Sequence, residues 1–257
     1  MNAYHAIPGI VAAVVVVGGV YFSENDIFNS LTLRGNIVPL KDAKLNIEHN
    51  ASDNDTGFQG FVDGEGWKEL TFKGPDGTVL EISGEGTLGT LGLTELFFET
   101  VEPANVDVSI EEMMKMLPEG SYTIEGPTVE DGKVTGHTQG TAWLTHTIPS
   151  GPVLVSPKAE AIVPAENNLV VEWQPVTTSL DGKSINIIAY ELIIQKDQPQ
   201  HPHMIGKRGL DIHLPATVTR IIVPKGFLEA GSKYKWEVLA IEESGNQTLS
   251  SGEFSTR

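Results

Sequence analysis

The sequence predicts an all-β protein with two β-sandwich domains, one short helix in the first domain, and an N-terminal hydrophobic segment before them. Three observations predict this fold class. Short segments of alternating apolar residues recur from residue 45 to the end, and 27 Gly and 15 Pro provide the turns between them. The length of 257 residues suits about two domains, and a hydrophobic fraction of 40% can supply two cores.

The N-terminal segment is the apolar run at residues 7–22, IPGIVAAVVVVGGVYF. It is shorter than the ~20 residues that a spanning helix needs, which favours a signal peptide over residues 1–22. A retained membrane anchor and a buried segment are the alternatives. We therefore expect an exported protein, either periplasmic, extracellular or on the cell surface, in which residues 23–44 form a connector.

Residues 45–148 are predicted to form the first domain. The tripeptide Pro75-Asp76-Gly77 lies between two apolar segments, and Glu130-Asp131-Gly132 lies between two more, so each predicts a hairpin turn. Ser109 and Glu112 have the spacing of a capping box ahead of an apolar helical repeat. This pattern predicts one short helix that covers an end of the sandwich.

A linker is predicted at residues 149–152, Pro-Ser-Gly-Pro, where the charge also changes. Residues 1–150 carry 22 acidic and seven basic side chains, whereas residues 151–257 carry 12 and ten. The overall charge of −17 disfavours nucleic acid as a partner, and contact with a membrane is expected only through the N-terminal segment. A protein or a polysaccharide at the cell surface is the expected partner, and self-association through a strand edge stays open.

Residues 153–257 contain the alternating segments Val170–Trp173, Ile188–Ile193 and Leu228–Ala240. These segments resemble a fibronectin type III domain, a member of the immunoglobulin-like sandwiches. The resemblance implies that Trp173 and Tyr190 pack in the core and that Tyr234 forms a tyrosine corner. It also implies an adhesive module or spacer. The layout as a whole resembles exported bacterial proteins that carry such a domain.

Two groups of side chains are candidate metal ligands. Carboxylates in glycine-containing acidic segments suit Ca²⁺, although such segments are also ordinary solvated turns; the candidate ligands are Asp53, Asp55, Asp63 and Glu65. Imidazoles suit Zn²⁺ or Cu²⁺, although a surface loop is the competing interpretation; the candidate ligands are His201, His203 and His213. No cofactor is assigned with certainty, and Ca²⁺ is the one considered.

The sequence has no cysteine, which excludes thiol catalysis, disulfides and cysteine-zinc sites. No nucleophile motif accompanies His137 or His146, and Glu99 and Glu102 are expected to be solvated. We therefore expect a non-catalytic interaction or structural protein. The alternatives are a calcium-dependent carbohydrate-binding module, if Trp67 or Trp143 is exposed, and an accessory part of an extracellular hydrolase.

Overall fold

The computed structural model describes residues 37–199, 201–206 and 209–257. The predicted signal peptide or anchor at residues 1–22, and the connector as far as residue 36, lie outside the described residues. Within the described ranges, no helix combines the length and the apolar character needed to cross a membrane. Most described residues lie in strands, which confirms the predicted all-β class.

The first domain is a sandwich of two sheets with the orders β1-β8-β7-β4-β5 and β6-β3-β2. Side chains of both sheets pack into one core, which contains Ile47, Phe58, Phe72, Ile124 and Leu144. The sheets join where Trp67 pairs with Thr128. The strands are β1 (Ile37–Pro39), β2 (Asp42–Asn50), β3 (Asp55–Trp67), β4 (Glu69–Gly74), β5 (Gly77–Ser83), β6 (Leu93–Glu99), β7 (Gly120–Glu130) and β8 (Lys133–Leu144).

Both hairpins predicted in this domain form. Pro75 and Asp76 connect β4 to β5, and Gly77 follows with a φ of 116°. Asp131 and Gly132 connect β7 to β8 with φ angles of 50° and 74°. Two consecutive positive φ angles give the tight turn whose twist matches that of antiparallel strands.

The described part of the first domain contains two helices, α1 (Gly86–Leu91) and α2 (Ile110–Met116). Helix α2 is the predicted one. The Ser109 side chain accepts a hydrogen bond from the Glu112 N–H, and the Glu112 carboxylate accepts one from the Ser109 N–H. Helix α1 was not predicted, because its sequence GTLGTL has no apolar helical repeat and no side-chain cap.

The second domain pairs a three-stranded sheet, β9-β11-β14, with a four-stranded sheet, β13-β12-β15-β16, and β10 adds in parallel to β16. The strands are β9 (Leu154–Ser156), β10 (Ala161–Val163), β11 (Leu169–Trp173), β12 (Ile187–Lys196), β13 (Gly209–Pro215), β14 (Arg220–Val223), β15 (Lys233–Glu242) and β16 (Gln247–Thr256). Trp173, Tyr190 and Trp236 lie in the core between the sheets.

The predicted tyrosine corner is confirmed. The hydroxyl oxygen of Tyr234 accepts a hydrogen bond of 2.8 Å from the backbone N–H of Glu229, at the entry to β15. This bond, the buried Trp173 on β11 and Tyr190 on β12, and the strand order are features of a fibronectin type III-like fold. They identify the fold of the second domain.

The two domains share a sheet. Glu48–Asn50 of β2 pair in parallel with Gln247–Leu249 of β16, which produces one seven-stranded sheet in the order β6-β3-β2-β16-β15-β12-β13. The predicted linker packs against the second domain, since the Thr248 hydroxyl donates to the Pro149 carbonyl and the Ser150 N–H donates to the Thr178 carbonyl. The junction is therefore an ordered interface.

The first domain begins earlier than its predicted start at Leu45. Strand β1 pairs with β8 at His137–Gln139, and β2 already pairs with β3 at Asp42. The end of the predicted connector 23–44 is thus part of the sandwich. Its alternation is short and is interrupted by Pro39, so the sequence pattern alone does not distinguish it from a loop.

Candidate functional site

The four carboxylates predicted to bind Ca²⁺ do not meet in one site. Asp55 and Asp63 lie eight residues apart on the same regular strand, β3, which separates them by about 26 Å. Asp53 lies in the turn before β3, where its carboxylate accepts a hydrogen bond of 2.9 Å from Asn50. Glu65 forms an exposed ion pair with Lys41 at 3.4 Å. The extended strand β3 separates the two acidic segments that supply these predicted ligands.

A different carboxylate cluster forms on the outer face of the first domain. Glu48, Glu99 and Glu102 each place an oxygen so that all three oxygens lie within 4.8 Å of one another. The pairing of three strands explains the cluster. On β3, Gln59 pairs with Glu99 of β6, and Gly57, two residues away on the same side of the strand, pairs with Glu48 of β2. The absence of a side chain at Gly57 makes room for Glu102, whose Cγ would lie 2.7 Å from a Cβ there.

Among the described residues, no basic side chain forms an ion pair with Glu48, Glu99 or Glu102, so the charges of the cluster repel one another. Burial, followed by repulsion from Glu48, Glu99 and Asp55, raises the pKa of Glu102 to about 7. Burial also raises the pKa of Glu48, although Gln247 and Gln59 donate hydrogen bonds to its carboxylate. Oε1 of Glu102 is buried and has no hydrogen-bond partner among the described residues. Three carboxylates of this kind could hold a hard cation.

The three predicted histidines also separate. His201 and His203 lie together in the loop before β13, with ring centroids 5.6 Å apart, and the His203 N–H donates to Nδ1 of His201. His213 lies on β13, beside Glu191 of β12 and Asp211. One ligand atom from each of these last three residues lies within 4.8 Å of the others. The structure therefore joins His213 to two carboxylates rather than to the other histidines.

The two clusters lie on the same outer face of the seven-stranded sheet. On β12, β15 and β2 the alternate residues Leu192, Val238 and Ile47 fill the cores, so Glu191, Glu237 and Glu48 face outward. Glu48 and Glu237 contribute to the raised pKa of Glu191, after burial and Asp211, and that pKa is about 7. We call this surface the acidic face; its residues are Glu48, Glu99, Glu102, Glu191, Asp211 and Glu237.

One tryptophan is exposed. Trp67, Trp173 and Trp236 lie in the cores, whereas Trp143 on β8 is 63% exposed. Across β7 and β8, Trp143 pairs with Ser121. The same outward side of these strands continues through the pairs Thr123 with Thr141 and Glu125 with Gln139. Trp143 therefore stands on a polar sheet surface that differs from the acidic face.

The histidines near Trp143 in the sequence have structural partners. Nε2 of His137 lies 3.4 Å from the Glu125 carboxylate, which also binds Lys73 at 2.7 Å, and these contacts lower the pKa of Glu125. Nε2 of His146 bonds to the Leu117 carbonyl at 2.8 Å. These contacts give neither histidine the nucleophile partner that a catalytic base requires.

Sequence patterns do not identify three acidic residues, Glu48 and Glu191 inside strands and Glu102 in the segment that follows β6. The sequence predicts that Glu102 is solvated, and no motif distinguishes Glu48 or Glu191. Glu48 is only 7% exposed, and nothing near it in the sequence distinguishes it from a surface glutamate. Alternation along β2 and β12 places Glu48 and Glu191 on the side of each strand that faces away from the core. Which acids become neighbours on that side depends on the register between the strands.

The strand orders, the buried Trp173 and the tyrosine corner define a class, a tandem β-sandwich protein whose second domain is fibronectin type III-like. No family model matches the chain, and no curated protein sequence matches it. Similarity is found among solved structures. Fibronectin(III)-like modules of CbhA from Clostridium thermocellum are 11% identical with a TM-score of 0.32, covering 85% of this chain and 93% of that one.

Two chicken proteins are also similar. Three fibronectin domains of CNTN1, FN1–FN3, are 10% identical with a TM-score of 0.35, covering 86% of this chain and 64% of that one. A segment of two fibronectin type III domains from tenascin is 14% identical with a TM-score of 0.29, covering 84% and 98%. The fold assignment given above depends on the contacts within this chain itself.

Proposed function

We propose that this chain is a non-catalytic interaction or structural protein that works outside the cell, at the cell surface or in an extracellular or periplasmic space. The observation that carries the proposal is the shared sheet. Pairing of β2 with β16 joins the two sandwiches into one unit with a continuous outer face. A joined unit suits a protein that presents surfaces at a fixed spacing, since pairing between the domains restricts hinge motion.

Export is one part of this proposal, and the apolar run at residues 7–22 supports it. Expression of the full chain in a bacterial host, followed by fractionation and N-terminal sequencing, tests it. A mature protein that starts near residue 22 in a soluble exported fraction indicates cleavage, and a start at Met1 in the membrane fraction indicates anchorage. Intact protein confined to the cytoplasm contradicts export.

A polysaccharide is the second candidate partner, and the exposure of Trp143 favours it. The flat indole can pack against the C–H face of a sugar ring, while neighbouring hydroxyl and amide groups bind the sugar hydroxyls. Ser121, Thr141 and Gln139 provide such groups along the same sheet surface. This arrangement supports a carbohydrate-binding surface on the first domain.

Binding to a panel of insoluble polysaccharides, with Ca²⁺ and with EDTA, tests this second candidate. Trp143→Ala should abolish retention on the bound polysaccharide. Ile162→Ala is the matched control, because Ile162 is 66% exposed but lies on the second domain. Equal retention of both variants, or no retention of the wild type on any polymer, contradicts the candidate. If EDTA does not reduce retention, only the requirement for calcium is contradicted, and the proposal of a carbohydrate-binding surface stands.

A further inference from the structure

Three side chains at the edge of the shared sheet have the arrangement of metal ligands. Glu191 of β12 and His213 of β13 are directly opposed across the antiparallel ladder, and Asp211 is opposed to Ile193, two residues along. All three side chains are on the outer face. Ligand atoms from the three residues lie within 4.8 Å of one another, and Nε2 of His213 is 3.6 Å from Oε2 of Glu191.

We propose that Glu191, Asp211 and His213 bind a zinc-class divalent cation, with solvent or an external ligand in the remaining coordination position. The donor set of one imidazole nitrogen and two carboxylate oxygens selects the class of metal. Zn²⁺ and related transition-metal ions bind imidazole together with carboxylates, whereas Ca²⁺ and Mg²⁺ prefer oxygen ligands alone. Three protein ligands also match the zinc sites that keep an open position.

The distances suit such an ion. Zinc–ligand bonds of about 2.0–2.2 Å place tetrahedral ligand atoms about 3.4 Å apart. The three ligand atoms lie within 4.8 Å of one another. Small side-chain rotations can therefore bring them onto a common ion while the strands stay in place. The His213 side chain is 66% exposed and the Glu191 side chain is 15% exposed, so the imidazole has more room to rotate than the carboxylate.

The strands hold the site in place. Seven consecutive residue pairs join β12 to β13, from Ala189–Pro215 to Gln195–Gly209. On the opposite side of β12, Tyr190, Leu192 and Ile194 are buried in the core and fix the rotation of the strand. A site on packed strands keeps its geometry better than a site on a loop.

The local charge also favours a cation. Glu191 and Asp211 place carboxylate oxygens within 4.8 Å of each other, so their negative charges repel. Glu48 of β2 and Glu237 of the adjacent strand β15 add negative charge on the same face, and Lys235 pairs with Glu237 at 2.7 Å. In the described part of the chain, the basic group paired with Glu191 is His213, which carries a full charge only when protonated. A bound dication neutralises both carboxylates and leaves the imidazole neutral as a ligand.

The site can be tested with the full chain, freed of metal by a chelator and titrated with Zn²⁺ by calorimetry and with Co²⁺ by visible absorption. We expect one high-affinity ion and a Co²⁺ spectrum with a nitrogen ligand. His213→Ala should weaken binding at least about tenfold and remove this spectrum, because one of three ligands is lost. Glu191→Gln should also weaken binding.

The matched control is His201→Ala, which removes an exposed imidazole from the loop before β13 and should leave the affinity unchanged. His213 is 66% exposed at its side chain, so the metal-free melting temperature of His213→Ala should equal that of the wild type. Absence of binding in the wild type overturns the proposal. It is also overturned if His213→Ala binds normally, if His201→Ala loses the ion instead, or if Ca²⁺ competes equally with Zn²⁺.

Discussion

The side-chain oxygen of Asn246 accepts a hydrogen bond of 2.8 Å from the backbone N–H of Ile47, which belongs to the other domain and lies 199 residues earlier in the chain. The Asn246 amide group donates to the carbonyls of Thr145 and Thr147, both at 2.9 Å. One side chain thus satisfies three backbone groups from the first domain. Asn246 is 1% exposed, so water cannot replace it as a partner without a rearrangement.

Asn246→Ala should destabilise the protein by about 2–4 kcal/mol, because it leaves a buried N–H and two carbonyls without partners. It should also weaken the coupling between the domains. Urea unfolding, followed by tryptophan fluorescence and by circular dichroism, measures both effects. We expect one transition for the wild type and two separated transitions for the variant.

Asn167→Ala provides the control for this change, since Asn167 is an exposed asparagine of the second domain. Its free energy of unfolding should stay within about 0.5 kcal/mol of the wild-type value. If Asn246→Ala behaved like Asn167→Ala, the polar interface between the sandwiches would contribute nothing to stability.

The raised pKa of Glu102 predicts a pH-dependent stability. Glu102 ordinarily titrates near 4.5, whereas burial and its acidic neighbours raise its pKa to about 7 in the folded state. The folded state therefore binds this proton more tightly than the unfolded state, and its stability falls as the pH rises from about 4.5 to about 7. Glu102→Gln should raise the free energy of unfolding by roughly 1 kcal/mol above pH 7, after allowance for solvent screening.

Chemical unfolding with EDTA at several pH values checks this prediction. Well below pH 4.5 the carboxyl is protonated in both states, so Glu102→Gln and the wild type should be equally stable there. Glu81→Gln, at an exposed position of β5, should show no pH-dependent difference. A constant difference between Glu102→Gln and the wild type across the range would contradict a perturbed titration.

The parts of this fold that the sequence predicts are those encoded by neighbouring residues. The turn at Pro75–Gly77, the capping box of Ser109 and Glu112, and the Leu228–Tyr234 corner each form within a few residues. Their geometry depends on φ preferences and on local hydrogen bonds. A single sequence therefore carries enough information to place them.

The sites depend instead on the register between distant segments. Glu48 and Glu99 are neighbours only because β2, β3 and β6 pair in one particular alignment. The junction between β2 and β16 likewise joins residues about 200 positions apart. A shift of one residue would turn these acids to the core side, so alternation identifies their face only after the pairing is known.

Tyr234→Phe tests the tyrosine corner. It removes the hydroxyl oxygen that accepts the hydrogen bond from Glu229 and should cost about 1–2 kcal/mol. Tyr122→Phe is the counterpart in the first domain, where the hydroxyl donates to the Pro118 carbonyl at 2.7 Å. Because the shared sheet couples the domains, each variant should lower the midpoint of a single thermal transition. Separate transitions in either variant would contradict that coupling.

Trp67 and Trp143 allow a comparison of two tryptophans within one domain. Trp67 is 0% exposed and Trp143 is 63% exposed. Trp67→Ala should cost about 3–5 kcal/mol through the cavity that it leaves, whereas Trp143→Ala should change stability by no more than about 0.5 kcal/mol. Urea unfolding measures both values. A large loss of stability in Trp143→Ala would show that its ring packs against the fold, and a polysaccharide-binding defect in that variant could then reflect unfolding. With stability unchanged, the same defect assigns binding to the exposed surface around Trp143.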